Sequence, residues 1–302
     1  LEQHGRAREE WSEWWCAKDA TVYQFIGEDN VYFYGLAQMA MFMGMQAGPP
    51  VTDPPEGALR LTRIIANRHI LFLDKKASSS SAVKPPMADD LLQYYTVDQL
   101  RAHFLSLGLG ERSVSFRPKP LNPTASEREA DPVLKEGNLL SNAFNRAARS
   151  CFYTAQKYFQ GKLPQGEVSP DVRARAETAI LDFEAAMAAH EFHRALEIAA
   201  EFIRETNQRW TQSNPYREEC DPEVRRQALI DAFHMVRVAT VLMHPIAPEG
   251  TEKIREYLGV GEEFWSWDRI FEPLSAFVSA DHTLKFLEPR VDFFEKHPSQ
   301  QR

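Results

Sequence analysis

Cysteine is scarce: Cys16, Cys151 and Cys220 are the only three in 302 residues. They are too few and too scattered for a disulfide framework, so a reducing compartment, the cytoplasm, is expected. No apolar run reaches the ~18–20 residues of a membrane span. No charged segment followed by an apolar one opens the chain, so no secretion signal is read. Positive charge is in deficit, 35 Lys and Arg against 43 Asp and Glu, giving a net charge of −8. That excludes a wholesale basic nucleic-acid binder but not a local basic patch, because phosphate affinity depends on where the cations lie. What is present, 43% hydrophobic and 26% charged residues, is globular composition and excludes general disorder or a fibrous repeat. The first residue is Leu1 rather than Met, so a processed or cloned piece of something longer is expected.

The familiar chemical motifs are also missing. There is no GxxxxGK[ST] loop. No Ser/His/Asp or Cys/His set can be defended from spacing. His190-Glu-Phe-His193 is one residue short of the zinc-peptidase pattern His-Glu-x-x-His, and no cysteine pair stands near it. A solvated helix face is the simpler reading, and no metal site is assigned.

Residues 1–120 and 121–302 read differently. In the first part Thr21–Ile26, Ile64–Ala66 and His69–Leu73 are short β-branched or aromatic runs. A helix-like stretch, Tyr32–Met45, lies among them. Strands alternating with helices suggest an α/β sheet. Residues 76–88, with four consecutive serines, read as a mobile loop, most simply a linker. Helical spacing resumes over Asp89–Leu107. Arg117-Pro-Lys-Pro-Leu-Asn-Pro123 looks like the domain boundary. Beyond it Val172, Ala176, Ile180, Phe183 and Met187 mark one buried helix face. Phe192–Thr206 and Leu229–Met243 repeat the pattern, which predicts an antiparallel helix bundle.

Two segments can carry chemistry. Phe25-Ile-Gly-Glu-Asp-Asn30 ends a strand, where α/β sheets bind ligands. Its glycine permits close backbone approach, and its Asp can accept from ribose hydroxyls. Asp74-Lys-Lys-Ala-Ser-Ser-Ser-Ser81 offers two cations and four hydroxyls to a triphosphate and its departing pyrophosphate.

In this order and spacing the segments resemble the methionyl-tRNA synthetases. Phe25–Asn30 resembles that family's F-I-G-K-D-I. Ala66-Asn-Arg-His-Ile-Leu-Phe-Leu-Asp-Lys-Lys-Ala-Ser-Ser-Ser80 resembles its A-N-x-F-L-x-L-E-G-x-K-[MF]-S-[KT]-S, so Lys76–Ser80 is similar to the class I K-M-S-K-S loop. Ser141-Asn-Ala-Phe-Asn-Arg146 resembles G-N-L-V-N-R. Tyr158-Phe-Gln-Gly161 with Pro164, and His244-Pro-Ile-Ala-Pro-Glu249, resemble later segments.

The resemblance implies the carboxyl-terminal half of a class I Rossmann-type catalytic fold (1–120), then an all-α anticodon-binding bundle (121–302). It implies ATP-dependent activation of methionine and transfer to tRNA, with Mg2+ accompanying ATP and the amino-terminal half of the catalytic domain as a missing partner. Gly27, Asp29, Lys75 and Lys76 would meet ATP. Lys76, Ser78 and Ser80 would serve catalysis at its phosphates. Asn142 and Arg146 would read the anticodon. Tyr216 would stand for the usual Trp that closes a stretch beginning at Asn207 and ending at Asn214-Pro215, and its ring could stack on a base. The five cations and one acid from Lys135 to Lys162 fit an RNA face, although an ordinary solvated helix would look the same.

The departures are specific. H-x-G-H is absent, so this chain alone is expected to be inactive. Where the family has F-H-x-x-x-W, this chain has Tyr34 for His and Gln38 for Trp, which puts the charged amino acid in doubt. Glu28 replaces a Lys, and Ser79 stands where a second Lys often lies. A catalytically inactive, synthetase-derived module that binds tRNA or protein is the alternative, and a helical scaffold without RNA is a third.

Overall fold

The computed structural model describes residues 2–46, 57–72, 74–76, 84–116 and 134–298. The chain divides into two compact units. One contains residues 1–82 and 109–116, the other 83–108 and 117–302.

The first unit carries helices α1 (Trp11–Trp15) and α2 (Gln38–Met45) and strands β1 (Tyr23–Gly27), β2 (Arg63–Asn67), β3 (Ile70–Phe72), β4 (Lys75–Lys76) and β5 (Val114–Phe116). β1 and β2 are parallel, with Tyr23 opposite Arg63 and Gly27 opposite Asn67. β3 pairs antiparallel with β4 and parallel with β5. The strands expected from the β-branched runs are therefore present, each shifted by one or two residues. The helix expected over Tyr32–Met45 opens with a π-helical turn, Phe33–Ala37, before α2. Tyr32, Phe33, Leu36, Met41 and Met45 are exposed along it.

The second unit holds α3 (Ala88–Leu91), α4 (Val97–Ser106), α5 (Lys135–Asn138), a π-helical turn over Leu139–Phe144, α6 (Asn145–Tyr158), α7 (Pro170–Ala188), α8 (Phe192–Ser213), α9 (Pro222–Met243) and α10 (Pro248–Leu258). α9 is its axis: from Leu229 to Met243 every side chain but Asp231 is buried. Small residues on α6, namely Ala147, Ala148, Cys151 and Ala155, let it lie close to that axis. Phe152 packs edge-on to Phe233 at 5.9 Å. All three cysteines are free.

Two boundaries differ from the sequence expectation. The helical stretch after residue 83, assigned above to the first part, packs in the second unit because α4 grips the corner between α9 and α10. Arg101 donates to the carbonyls of Pro245 (2.7 Å) and Ile246 (3.1 Å) as α9 ends. Asp98 accepts from the N–H groups of Gly250 (2.8 Å) and Glu249 (3.2 Å) as α10 begins. A cation at a helix carboxyl end and an anion at an amino end both complement the helix dipole. Helix α8 also runs on past Thr206 to Ser213. There Asn214 adopts a left-handed conformation and Pro215 stops it. His190 and His193 lie at the corner between α7 and α8, with His190 left-handed, not on one helix face.

Candidate functional site

Parallel pairing puts the carboxyl ends of β1 and β2 at one edge. At that edge the chain turns through Glu28–Asn30. A Cβ at Gly27 would lie 2.8 Å from Asp29 Oδ1, so only glycine leaves room for the carboxylate to fold back. From β4, Lys76 Nζ donates to Asp29 Oδ2 at 3.2 Å. His69, just after β2, places Nδ1 2.8 Å from Glu28 Oε1 and Nε2 3.5 Å from Asp29 Oδ2. Lys76 first, and His69 second, hold the Asp29 carboxyl below the usual range. Asp29 and Lys76 are both more than half exposed, so their pair adds little stability. Its value is positional: an ionised acceptor at the end of β1 and a cation from β4 lie side by side.

The structure thus brings Gly27, Asp29 and Lys76 together, and it adds two residues that motif matching missed. His69 and Glu28 brace Asp29, and the only sequence signal was that Glu28 departs from the family's Lys. Lys75 is exposed on the same short strand. Ser78 and Ser80 lie outside the described residues, as does most of the 76–88 segment. Tyr34 and Gln38 sit one turn apart. Tyr34 is exposed, whereas Gln38 Oε1 accepts from Gln24 Nε2 (3.1 Å), which also donates to Thr62 (2.8 Å).

On the helical unit, Asn142 lies in the π-helical turn and Arg146 in the first turn of α6, both exposed. Such turns recur at functional sites because the extra residue re-aims neighbouring side chains. Asn142 donates to Asn138 Oδ1. Among the described residues Arg146 has no hydrogen-bond or ion-pair partner. The neighbouring Asn145 is buried and is spent on structure. Its Oδ1 accepts from Phe293 and Phe294 N–H (3.0 Å each), and its Nδ2 donates to Ser141 O and Phe294 O (2.9 Å each). Asn207 Nδ2 donates to Ala143 O at 2.8 Å and so fixes α8 against the π-helical turn.

Tyr216 follows α8. It is 47% exposed and outside the bundle core, and its hydroxyl donates to Asn214 Oδ1 at 2.9 Å. Its carbonyl accepts from Tyr158 at the far end of α6 (3.1 Å). Arg225 buries itself under this loop, donating to Pro215 O (2.9 Å), Arg217 O (2.7 Å) and Glu218 O (3.3 Å), and lies 3.7 Å over the Tyr158 ring. The anchors of Asn142 and Tyr216 are therefore near opposite ends of α6.

The local excess of positive charge largely disappears in three dimensions. Lys157 pairs with Glu218, Lys162 with Asp281 and Arg149 with Asp292, all acids from elsewhere in the chain. Hydrogen bonds to Tyr158 and then Glu218 push the Lys157 ammonium up.

Residues 1–139 match the family described as tRNA synthetases class I (M). Over most of its length the chain is similar to the methionine–tRNA ligases of Thermobifida fusca (26% identity over 269 residues, covering 85% of this chain and 42% of the relative) and Haloarcula marismortui (27% over 260 residues, covering 85% and 32%). The chain is thus similar to the methionyl-tRNA synthetases. Its fold matches the Mycobacterium tuberculosis methionyl-tRNA synthetase bound by methionyl-adenylate, with a TM-score of 0.68 at 21% identity. That match covers 92% of this chain and 50% of that one. The chain spans half or less of the length of these synthetases. The expected mixture of a class I α/β part and a helical bundle is therefore present. Among the described residues no helix is long and apolar enough to cross a membrane.

Proposed function

We propose that this chain supplies the carboxyl-terminal part of a methionine–tRNA ligase of the cytoplasm: one side of the ATP site and the surface that binds the tRNA anticodon. The reaction is attack of the methionine carboxylate on the α-phosphorus of ATP with loss of pyrophosphate, then transfer of the aminoacyl group to tRNA. It needs positioned charge rather than a protein nucleophile. Asp29, folded over Gly27, accepts from the ribose hydroxyls. Lys76 leaves Asp29 for the phosphates, joined by Lys75 and the Ser78 and Ser80 hydroxyls. Mg2+ enters with the nucleotide. Among the described residues no three His, Cys, Asp or Glu side chains gather to hold it, and no step is routed through it. Tyr34 and Gln38 face the amino acid, and the amino-terminal half of the catalytic domain completes the site.

The RNA side is carried by one observation: among the described residues Arg146 stays exposed and unpartnered, and Tyr216 stays exposed, in a unit where such side chains are mostly engaged. A planar guanidinium can read a base edge, and a tyrosine ring can stack on an unpaired base. The full chain should bind a stem-loop carrying the methionine anticodon more tightly than one with substituted loop bases. Arg146→Ala and Tyr216→Ala should each cost about 1–3 kcal/mol in that binding. Equal affinity for both loops, unchanged by either substitution, refutes the anticodon reading and leaves the helical scaffold.

A further inference from the structure

In the helical unit eleven of the fifteen described arginines have a job. Arg101, Arg225 and Arg237 cap backbone carbonyls, and the others donate to carboxylates within or between helices. Arg146, Arg204, Arg217 and Arg290 do not: each is exposed, and among the described residues no hydrogen bond or ion pair engages its guanidinium. In a chain of net charge −8, with acids available on every side, unpaired arginines would be expected anywhere on the surface. Arg146 is on α6, and each of the other three lies within three residues of a hydrogen bond or ion pair to α6 or its π-helical turn.

The arrangement follows from helical geometry. At about 100° per residue, Arg146, Tyr153 and Lys157 fall within roughly 40° of one another along α6, and Asn142 precedes them in the π-helical turn. This stripe forms a floor between two flanks. On one side runs the carboxyl-terminal segment. It is tied to α6 by the reciprocal bonds of Gln156 with Leu287 (3.2 Å each way), by Tyr153 Oη donating to Glu288 O (3.2 Å) and by Arg149 pairing with Asp292 (2.6 Å). Arg290 lies between the last two ties. On the other side stand α8, held at Ala143 by Asn207, and the Tyr216 loop, held by Tyr158. Arg217 directly follows Tyr216. Arg204 is about 60° round α8 from Asn207, at the border of the surface it lines with Glu201, Glu205 and Arg209. Beyond that border α8 faces α7, through the Arg175–Glu205 and Arg209–Asp171 pairs. From Asn142 to Tyr158 the floor is roughly 24 Å long, enough for several nucleotides.

We propose that Arg204, Arg217 and Arg290, with Arg146 between them, form a phosphate track for an RNA strand lying along α6. The proposal rests on the anticodon-binding reading above, and it adds to it three side chains that no motif identifies. Guanidinium forks fit phosphate oxygens, and phosphate contacts set register without reading sequence. Acids also border this stripe. Glu205 and Glu218 are already neutralised by cations. Glu201, Glu219 and Glu288 remain beside the track, and they oppose a longer, continuous basic surface.

The test uses the full chain with two RNA stem-loops, one with the methionine anticodon and one with substituted loop bases, titrated across a salt series. Arg204→Gln, Arg217→Gln and Arg290→Gln are each expected to weaken both RNAs alike, several-fold, and to lower the salt slope by about 0.7. Arg194→Gln removes a paired, exposed arginine on another face and is expected to change neither. If the wild-type chain discriminates the two loops while all three variants keep its affinity and salt slope, the track is wrong and the anticodon reading stands. If Arg194→Gln weakens binding as much as the others, diffuse charge explains the data and the track is overturned. If the chain binds neither RNA, both fall.

Discussion

Removing Arg225 should disable Tyr216 without touching it. The guanidinium is 7% exposed, spans three carbonyls of the 215–218 loop and stacks on Tyr158. In Arg225→Ala the carbonyls of Arg217 and Glu218, in an exposed stretch, can turn to water. That of the buried Pro215 is left without its donor, at about 1–3 kcal/mol. Loss of the cation–π contact adds about 0.5–2 kcal/mol. A destabilisation of about 3 kcal/mol is therefore expected in urea unfolding. Arg225→Lys should recover only a minor part, since an ammonium cannot stack and span the loop as the planar fork does.

The functional consequence separates this role from general stability. Binding of the methionine-anticodon stem-loop, measured well below the unfolding midpoint, should fall in Arg225→Lys by nearly as much as in Tyr216→Ala. The double variant should be little worse than either, because both act through one ring. Full additivity of the two effects would refute the reasoning, as would a destabilised Arg225→Lys protein that binds RNA like the wild type.

Two further outcomes are expected. Burial, with the Arg237 and Arg173 charges, pushes His234 down to about 4, and its Nδ1 has no hydrogen-bond partner among the described residues. Because the unfolded chain takes up this proton near pH 6.5, stability is full above that pH and lost as pH falls toward 4, by about 2–3 kcal/mol at pH 4.5; the difference between wild type and His234→Gln in urea midpoints should shrink from pH 7 to 4.5, and parallel profiles would refute the assignment. The full chain should give no ATP–pyrophosphate exchange, since H-x-G-H is absent; exchange above a buffer blank would show that its half-site suffices.

Much of the bundle was legible because its helices carry one apolar stripe each, as Val172, Ala176, Ile180 and Phe183 show by all being buried. The strand-end site was legible through order: Gly27, Asp29 and Lys76 stand in a recognisable succession, with Gly27 ending β1 and Lys76 reaching Asp29 from β4 of the other sheet. What could not be read was pairing across the chain. Nothing near Asp98 or Arg101 in sequence announces that they clamp a corner about 150 residues later. The same blindness produced an apparent basic helix from Lys135 to Lys162, for Asp292, Asp281 and Glu218 lie far outside that window. Local charge counts fail wherever a bundle folds distant acids over a helix.

The two asparagines of the Ser141–Arg146 motif show how one short pattern carries two kinds of constraint. Asn145 uses both donors and accepts twice on its oxygen, so it is fully engaged inside the unit. It fixes the carboxyl-terminal segment beside α6, with Phe294 filling the space that a side chain at Gly250 would need. Asn142 and Arg146, three residues before it and one after, remain at the surface. A motif match alone ranks the three equally. Burial separates them: a fully bonded interior amide cannot turn outward without stranding two backbone N–H groups, at about 1–3 kcal/mol each. Ordinary helical geometry achieves this, since consecutive residues of α6 point about 100° apart, so that a buried Asn145 lies directly beside an outward Arg146.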